Sequence, residues 1–466
     1  MKPSIPEPRN GSSPFQGPGL SRRGFVELSA GGMVASWFLG SPAVARAESS
    51  ALVTPRGTAK NCIFIFLTGA MSQSDTWDLK EGAWLPASFN PTDMGGGYRF
   101  PVGLMPKMAT HLGDIAVVRS VLMWAAVHGL AQTWLQISRS PTGATGAIAP
   151  NVGAIAAIEL ESQRNPARDV LPSFVALNAG ANVVGSGYLP SVYSPFSVSP
   201  TTTGVQGLTH PDGSARFGLR WNDLQQIDAA LRTGDPLGKV GADAVGFYSQ
   251  AKVLVDSPDV NALFSYTTDE SARYGNSGLG NAAVVAKKVL AGKRGARFIQ
   301  INTGGWDQHS NIYATAGNSL LTLVPQLDSA LAALLDDLKA TAGETPGKTL
   351  LDETVVYVSG EFGRTTGALN GQAGRDHFLR TSVVLAGGGL KGGKVLGATD
   401  ATGRNLADAG WSANRDVRPE DLACTIYSAL GIDWTKVRHD DPIGRGFEYV
   451  PYAKDGVYRP IEELFA

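Results

Sequence analysis

Short, unbroken apolar runs separated by polar, glycine-rich loops give this chain its basic pattern. Asn61-Cys62-Ile63-Phe64-Ile65-Phe66-Leu67 is such a run, and it ends abruptly in a polar loop from Thr68 to Asp78. A run of that length without alternation predicts a strand buried on both faces, as in a parallel sheet. Ile115 to Val121, Ser173 to Leu177, Arg297 to Asn302, Thr354 to Val358 and Thr381 to Ala386 read the same way. Between them the period lengthens. His128 to Arg139, Asn151 to Glu161, most of Trp221 to Lys293 and Pro419 to Leu430 read as helical, with glycine breaks. Leu320, Leu323, Leu327, Leu331, Leu334 and Leu335 share one helical face, with acidic residues opposite, which predicts a helix packed on a sheet. Strands alternating with helices imply an α/β fold whose largely parallel sheet is covered on both faces. Residues 178 to 220, rich in Gly, Ser, Pro and Thr, read as a loop-rich insertion of the kind that covers or serves a site.

The first residues read differently. Ser21-Arg22-Arg23-Gly24-Phe25 carries the paired arginines of a twin-arginine export signal. An uncharged, weakly apolar stretch from Leu28 to Val44 follows, and Ala45-Arg46-Ala47 supplies a cleavage site. The expectation is a signal peptide over 1–47 and a single α/β domain over 48–466, periplasmic or extracellular, exported folded by the twin-arginine machinery. An uncleaved anchor helix is the competing reading. Of the 466 residues, 43% are hydrophobic, enough for a large core, and no later apolar run is long and clean enough to span a membrane. A net charge of −1 without a basic cluster argues against nucleic acid as a partner. Cys62 and Cys424 lack metal-binding spacing and read as buried free thiols.

Candidate chemistry gathers where apolar runs stop. Gly304-Gly305-Trp306-Asp307-Gln308-His309 and Gly360-Glu361-Phe362-Gly363-Arg364-Thr365 each follow a predicted strand, the rim where open α/β sheets bind ligands. An Asp-x-His pair offers oxygen and nitrogen donors suited to borderline cations, although Asp and His also make ordinary turns and caps. Glu361 reads as a metal-binding carboxylate, and Arg364 as a fork for a phosphate, sulfate or carboxylate. A plain salt bridge between the two is the alternative. Arg375-Asp376-His377 adds a second Asp-His step, and His128, His309 and His377 all sit beside strand-end loops.

Taken together, Gly-Gly-Trp-Asp-x-His, Glu-Phe-Gly-Arg-Thr, Gly-Arg-Asp-His and Asp441-Pro442-Ile443-Gly444-Arg445 resemble the bacterial exported family called domain of unknown function 1501. Arg273-Tyr274-Gly275 and Ala429-Leu430-Gly431-Ile432 extend the resemblance from about Asn61 to the C-terminus. That family is regarded as related to the alkaline phosphatase and sulfatase superfamily. The resemblance implies a three-layer α/β/α sandwich with metals at strand ends. Asp307 and His309 resemble the superfamily's Asp-plus-His metal pair, and His377 its last histidine ligand. Glu361 stands where relatives have an Asp, with Phe362 replacing the following imidazole. The first-strand loop would supply an acidic ligand, here Asp75 or Asp78 reaching back. Counting back eleven residues from Arg139, where sulfatases carry a modified Cys or Ser, lands on His128. His128 is therefore a candidate ligand, general base or phosphoryl acceptor, with Ser72 and Ser120 as alternative hydroxyls.

These expectations converge on an exported hydrolase of a phosphate, sulfate or related ester, dependent on a divalent metal (Zn, Mn, Ca or Mg). Its partner would be a small anionic ester. The alternative is a non-catalytic metal- or glycan-binding protein, with Trp77, Trp124 and Trp134 available to a carbohydrate.

Overall fold

A computed structural model describes residues 53–205, 212–231, 238–255 and 258–465. The expected signal peptide, its paired arginines and its cleavage site lie outside these residues. Val53–Ala466 forms one compact unit.

Eight strands make its central sheet: β1 (Asn61–Leu67), β2 (Ile115–Leu122), β3 (Phe174–Leu177), β4 (Phe196–Val198), β5 (Phe298–Thr303), β6 (Thr354–Ser359), β7 (Arg380–Ala386) and β8 (Lys394–Leu396). Their order across the sheet is β8-β2-β7-β6-β1-β5-β3-β4. β1 lies parallel between β5 and β6, with Ile63 opposite both Ile299 and Val356. Only β7 runs against its neighbours, β6 and β2. The rim at the carboxyl ends of β2, β6, β1 and β5 is therefore also where β7 begins.

The unbroken apolar runs are explained by the two faces they serve. Ile63, Ile65 and Leu67 of β1 join one core cluster, while Cys62, Phe64 and Phe66 join the other. The first cluster is covered by α3 (Gly278–Ala291) and α4 (Leu320–Ala340). The second is covered by α1 (His128–Ile137), α2 (Val152–Glu159) and α5 (Pro419–Ala429). The result is the three-layer α/β/α sandwich that the pattern and the resemblance imply. Helix starts follow local chemistry. Ser277 accepts from the Gly280 amide to cap α3, and α5 opens on Pro419 with Asp421 accepting from the Arg418 amide.

The segment from 178 to 220 is less irregular than its composition implies. Phe196–Val198 adds to the sheet as edge strand β4, beside Val175–Leu177, and Gly213–Leu231 forms a helix. Cys62 and Cys424 are both buried and unpaired, as expected. Among the described residues, no helix is long and apolar enough to cross a membrane.

Candidate metal centre

Three loops and a short ribbon meet at the strand-end rim. β5 delivers Asp307 and His309, the chain leaving β2 delivers His128 as the first residue of α1, and β6 leads into Glu361. Gly363–Arg364 pairs antiparallel with His377–Phe378, placing His377 opposite Arg364 just before β7. Two glycines permit this convergence. At Gly69 (φ +108°) a Cβ would stand 2.5 Å from the Asp307 amide nitrogen, and at Gly374 it would stand 2.0 Å from the His309 carbonyl carbon.

His128, Asp307, His309 and His377 form a cluster whose donor atoms all lie within 4.8 Å of one another. Asp307 Oδ1 is 3.2 Å from His128 Nε2, 3.1 Å from His309 Nε2 and 3.5 Å from His377 Nε2. His309 Nε2 and His377 Nε2 are 2.8 Å apart. What lies behind the rings decides what these atoms can do. His128 Nδ1 is 2.6 Å from Glu361 Oε1, His309 Nδ1 is 3.0 Å from Asp376 Oδ1, and His377 Nδ1 is 2.8 Å from the Ala126 carbonyl. Carboxylates and carbonyls only accept, so each Nδ1 carries a proton, and a ring in its neutral form turns its Nε2 lone pair toward the shared space. His128 Nε2 is buried without a hydrogen-bond partner of adequate geometry. Arg364 donates to Asp307 and places its Nη1 3.3 Å from His309 Nε2, but the His128 and His377 lone pairs still face the same carboxylate oxygen and repel it unless a cation joins them.

The donor set fits such a cation. Tetrahedral ligands bound at about 2.0–2.1 Å lie about 3.3 Å from one another, close to the separations seen here. Carboxylate or carbonyl groups behind each imidazole are the outer support that metal-ligating histidines ordinarily have. Asp307 is held low, at about 2: partial burial pushes it up, but the hydrogen bond and positive charge of Arg364 outweigh that. The hydrogen bond to Glu361 raises the His128 pKa, whereas burial chiefly lowers that of His377. Side-chain exposure runs from 25% at His377 to 47% at Asp307, so the cluster is open to solvent on one side. Phe362 closes the other, its ring 4.8 Å from His128 and 4.6 Å from His377 between centroids.

Other expected site residues stand elsewhere. Glu361 is fully buried behind His128, accepting from the Gly69 amide, the Gln132 amide and His128 Nδ1. It therefore orients a candidate ligand from outside the four-residue cluster. Arg364 is equally buried and cannot fork onto an external anion. Its donors serve Asp307, His309 Nε2 and the carbonyls of Gly69, Ala70 and Arg375, and Gln73 pins its backbone. Asp75 forms a two-point ion pair with Arg375, at 2.7 and 2.9 Å, and accepts from Tyr313 and Ser72. Ser72 is thus a buried donor within that network. Asp78 lies with Lys80, Arg119 and Thr399, its pKa raised by burial. Ser120 is buried, and Arg139 donates to the carbonyls of Glu448 and Tyr449. Two supporting roles were not assigned from the sequence, although Asp376 was noted in the second Asp-His step. Asp376 fixes His309 and Gln132 steadies Glu361; for Asp376 the adjoining His377 was the available signal.

Comparison with known proteins gives the chain its family. It matches, over residues 59–451, the family described as protein of unknown function (DUF1501), and it belongs to that family. No curated protein is detectably similar to it. Among solved structures it is similar to the C-terminal periplasmic domain of EcEptC from Escherichia coli in complex with Zn. That likeness has 10% identity, 86% of this chain and 96% of that one covered, and a TM-score of 0.41. It is also similar to a protein in the alkaline phosphatase superfamily from Vibrio parahaemolyticus, at 12% identity, 82% and 69% coverage and a TM-score of 0.36. A third likeness is to the lipoteichoic acid synthase LtaP from Listeria monocytogenes, at 10% identity, 86% and 79% coverage and a TM-score of 0.36. Such remote likenesses say nothing about chemistry.

Proposed function

We propose that this DUF1501 member is an exported, metal-dependent hydrolase of a phosphate, sulfate or related ester, comprising a signal peptide over 1–47 and one catalytic domain over 48–466. The observation that carries the reading is the convergence of three Nε2 atoms on Asp307 Oδ1, with every Nδ1 already committed. His128, Asp307, His309 and His377 would hold the ion, and imidazole-rich donors favour zinc or manganese over calcium or magnesium. A bound ion of this kind polarises an ester oxygen and lowers the pKa of water beside it.

The chain's own residues supply placement. Glu361, Asp376 and the Ala126 carbonyl fix three rings, Arg364 fixes the carboxylate, and the open side admits water and substrate. His128 stands where a sulfatase nucleophile would be counted and is tied to Glu361, so the reading assigns attack to water rather than to a side chain. Four protein ligands fill a tetrahedral ion, as in a structural site; the catalytic reading requires a further position on the ion for water or substrate, and the solvent-facing side leaves room for it.

The test is a panel of aryl phosphate and sulfate esters with zinc- or manganese-loaded protein. Turnover abolished by chelator and in Asp307→Ala supports the hydrolase. Metal uptake without turnover of any ester leaves the metal- or glycan-binding reading, and turnover unchanged in Asp307→Ala contradicts the site.

A further inference from the structure

Resting on that reading of the cluster, we infer that Asn182, in the loop leaving β3, is a positioning residue for the candidate metal centre, acting on His128 through Gln132 and Glu361. The segment that composition marks as serving a site then does so from a distance, through a relay of side-chain amides.

α1 opens on His128, and Gln132 and Gln136 follow at four-residue steps along the same face of the helix. Behind His128 stands Glu361. Its Oε1 accepts from His128 Nδ1 at 2.6 Å, from the Gly69 amide at 2.9 Å and from Gln132 Nε2 at 2.9 Å. An ionised carboxylate only accepts, so the Gln132 amide has one permitted orientation. Its NH2 group faces Glu361 and its oxygen faces away. Asn182 Nδ2 donates to that oxygen at 3.3 Å.

The loop that carries Asn182 is itself held by amide side chains. Asn302 Nδ2 donates to the Ala179 carbonyl at 3.0 Å, Gln136 Nε2 to the Asn182 carbonyl at 2.9 Å, and the Val184 amide to Gln136 Oε1 at 3.1 Å. Gln300 Nε2 joins the two anchors, donating to Gln136 Oε1 at 3.1 Å and to Asn302 Oδ1 at 2.9 Å. Gln136 and Gln300 are fully buried. A buried amide left without its partner is destabilising, so each member of the ladder fixes the direction of the next. The ladder runs from β5 across α1 to the carboxylate that orients a candidate ligand. Asn182 differs from its partners in being exposed, so its side chain can be changed without opening a void in the core.

Competition titration of the full chain with zinc tests this without turnover. Asn182→Asp keeps the shape but sets an acceptor against Gln132 Oε1, so Gln132 must turn and Glu361 loses a donor. Zinc affinity should fall about three- to tenfold, less than for a group bonded directly to a ligand, with little change in the denaturation midpoint. The sign is diagnostic, because a carboxylate acting only through its charge would strengthen cation binding. Gln132→Leu should lose about tenfold, and adding Asn182→Asp to it should remove no further affinity, because the ladder is already cut. If Gln132→Leu does not fold, Asn182→Asp decides alone. Affinity in Asn182→Asp equal to or above that of the wild type, or the same loss when Gln132 is already replaced, overturns the positioning role and leaves the metal reading standing. A wild type that binds no zinc overturns both.

Discussion

Asp75 and Asp307 begin alike, each an aspartate in the loop after a central strand, yet the structure uses them in opposite ways. Asp75 faces Arg375 in a fully buried ion pair, with Tyr313 and Ser72 completing its hydrogen bonds. Asp307 also touches a buried arginine, but its Oδ1 faces three imidazole nitrogens on a side open to solvent. The first network satisfies itself and locks two loops together. The second is left with more lone pairs than protons and needs something from outside. Metal-binding character lies in what a carboxylate's neighbours leave unsatisfied, rather than in its place after a strand.

That contrast predicts different consequences for damage to each region. Asp75→Ala strands a buried guanidinium and should cost about 3–5 kcal/mol of stability, read by chemical denaturation, while metal uptake per folded chain is unchanged. Zinc at about 100 times its dissociation constant should stabilise the wild type by about 2.7 kcal/mol, and His309→Ala should abolish that gain. Glu361→Gln keeps an acceptor for His128 but removes its charge, so zinc affinity should fall roughly 10–100-fold in a competition titration. Asp376→Asn should fall at or below the lower end, about tenfold, because Asp376 is 57% exposed and asparagine can still accept from His309. A larger effect for Asp376→Asn than for Glu361→Gln would reverse the ranking of buried over exposed support.

The sheet was readable because strands buried on both faces leave continuous apolar runs, as β1 and β6 do. Strand β4 was not, since three residues at an edge carry too little pattern against a Gly- and Ser-rich background. β8 escaped for the same reason. At the site, Asp307, His309 and His377 stood out as clustered donor types, and His128 by its position at a strand end. The roles of Glu361, Arg364 and Asp75 were not legible, because each depends on partners roughly 230 to 300 positions away in the chain. Only folding shows that Arg364 spends its donors on Asp307, His309 and backbone carbonyls, or that Arg375 claims Asp75.

The central claim is that His128, Asp307, His309 and His377 hold one divalent ion. Elemental analysis of folded, purified protein after dialysis against zinc and then metal-free buffer tests it most directly. The account predicts about one ion per wild-type chain and a clear loss in His309→Ala, with both proteins folded. A wild type that retains no metal, or a His309→Ala variant that retains as much as the wild type, would contradict it.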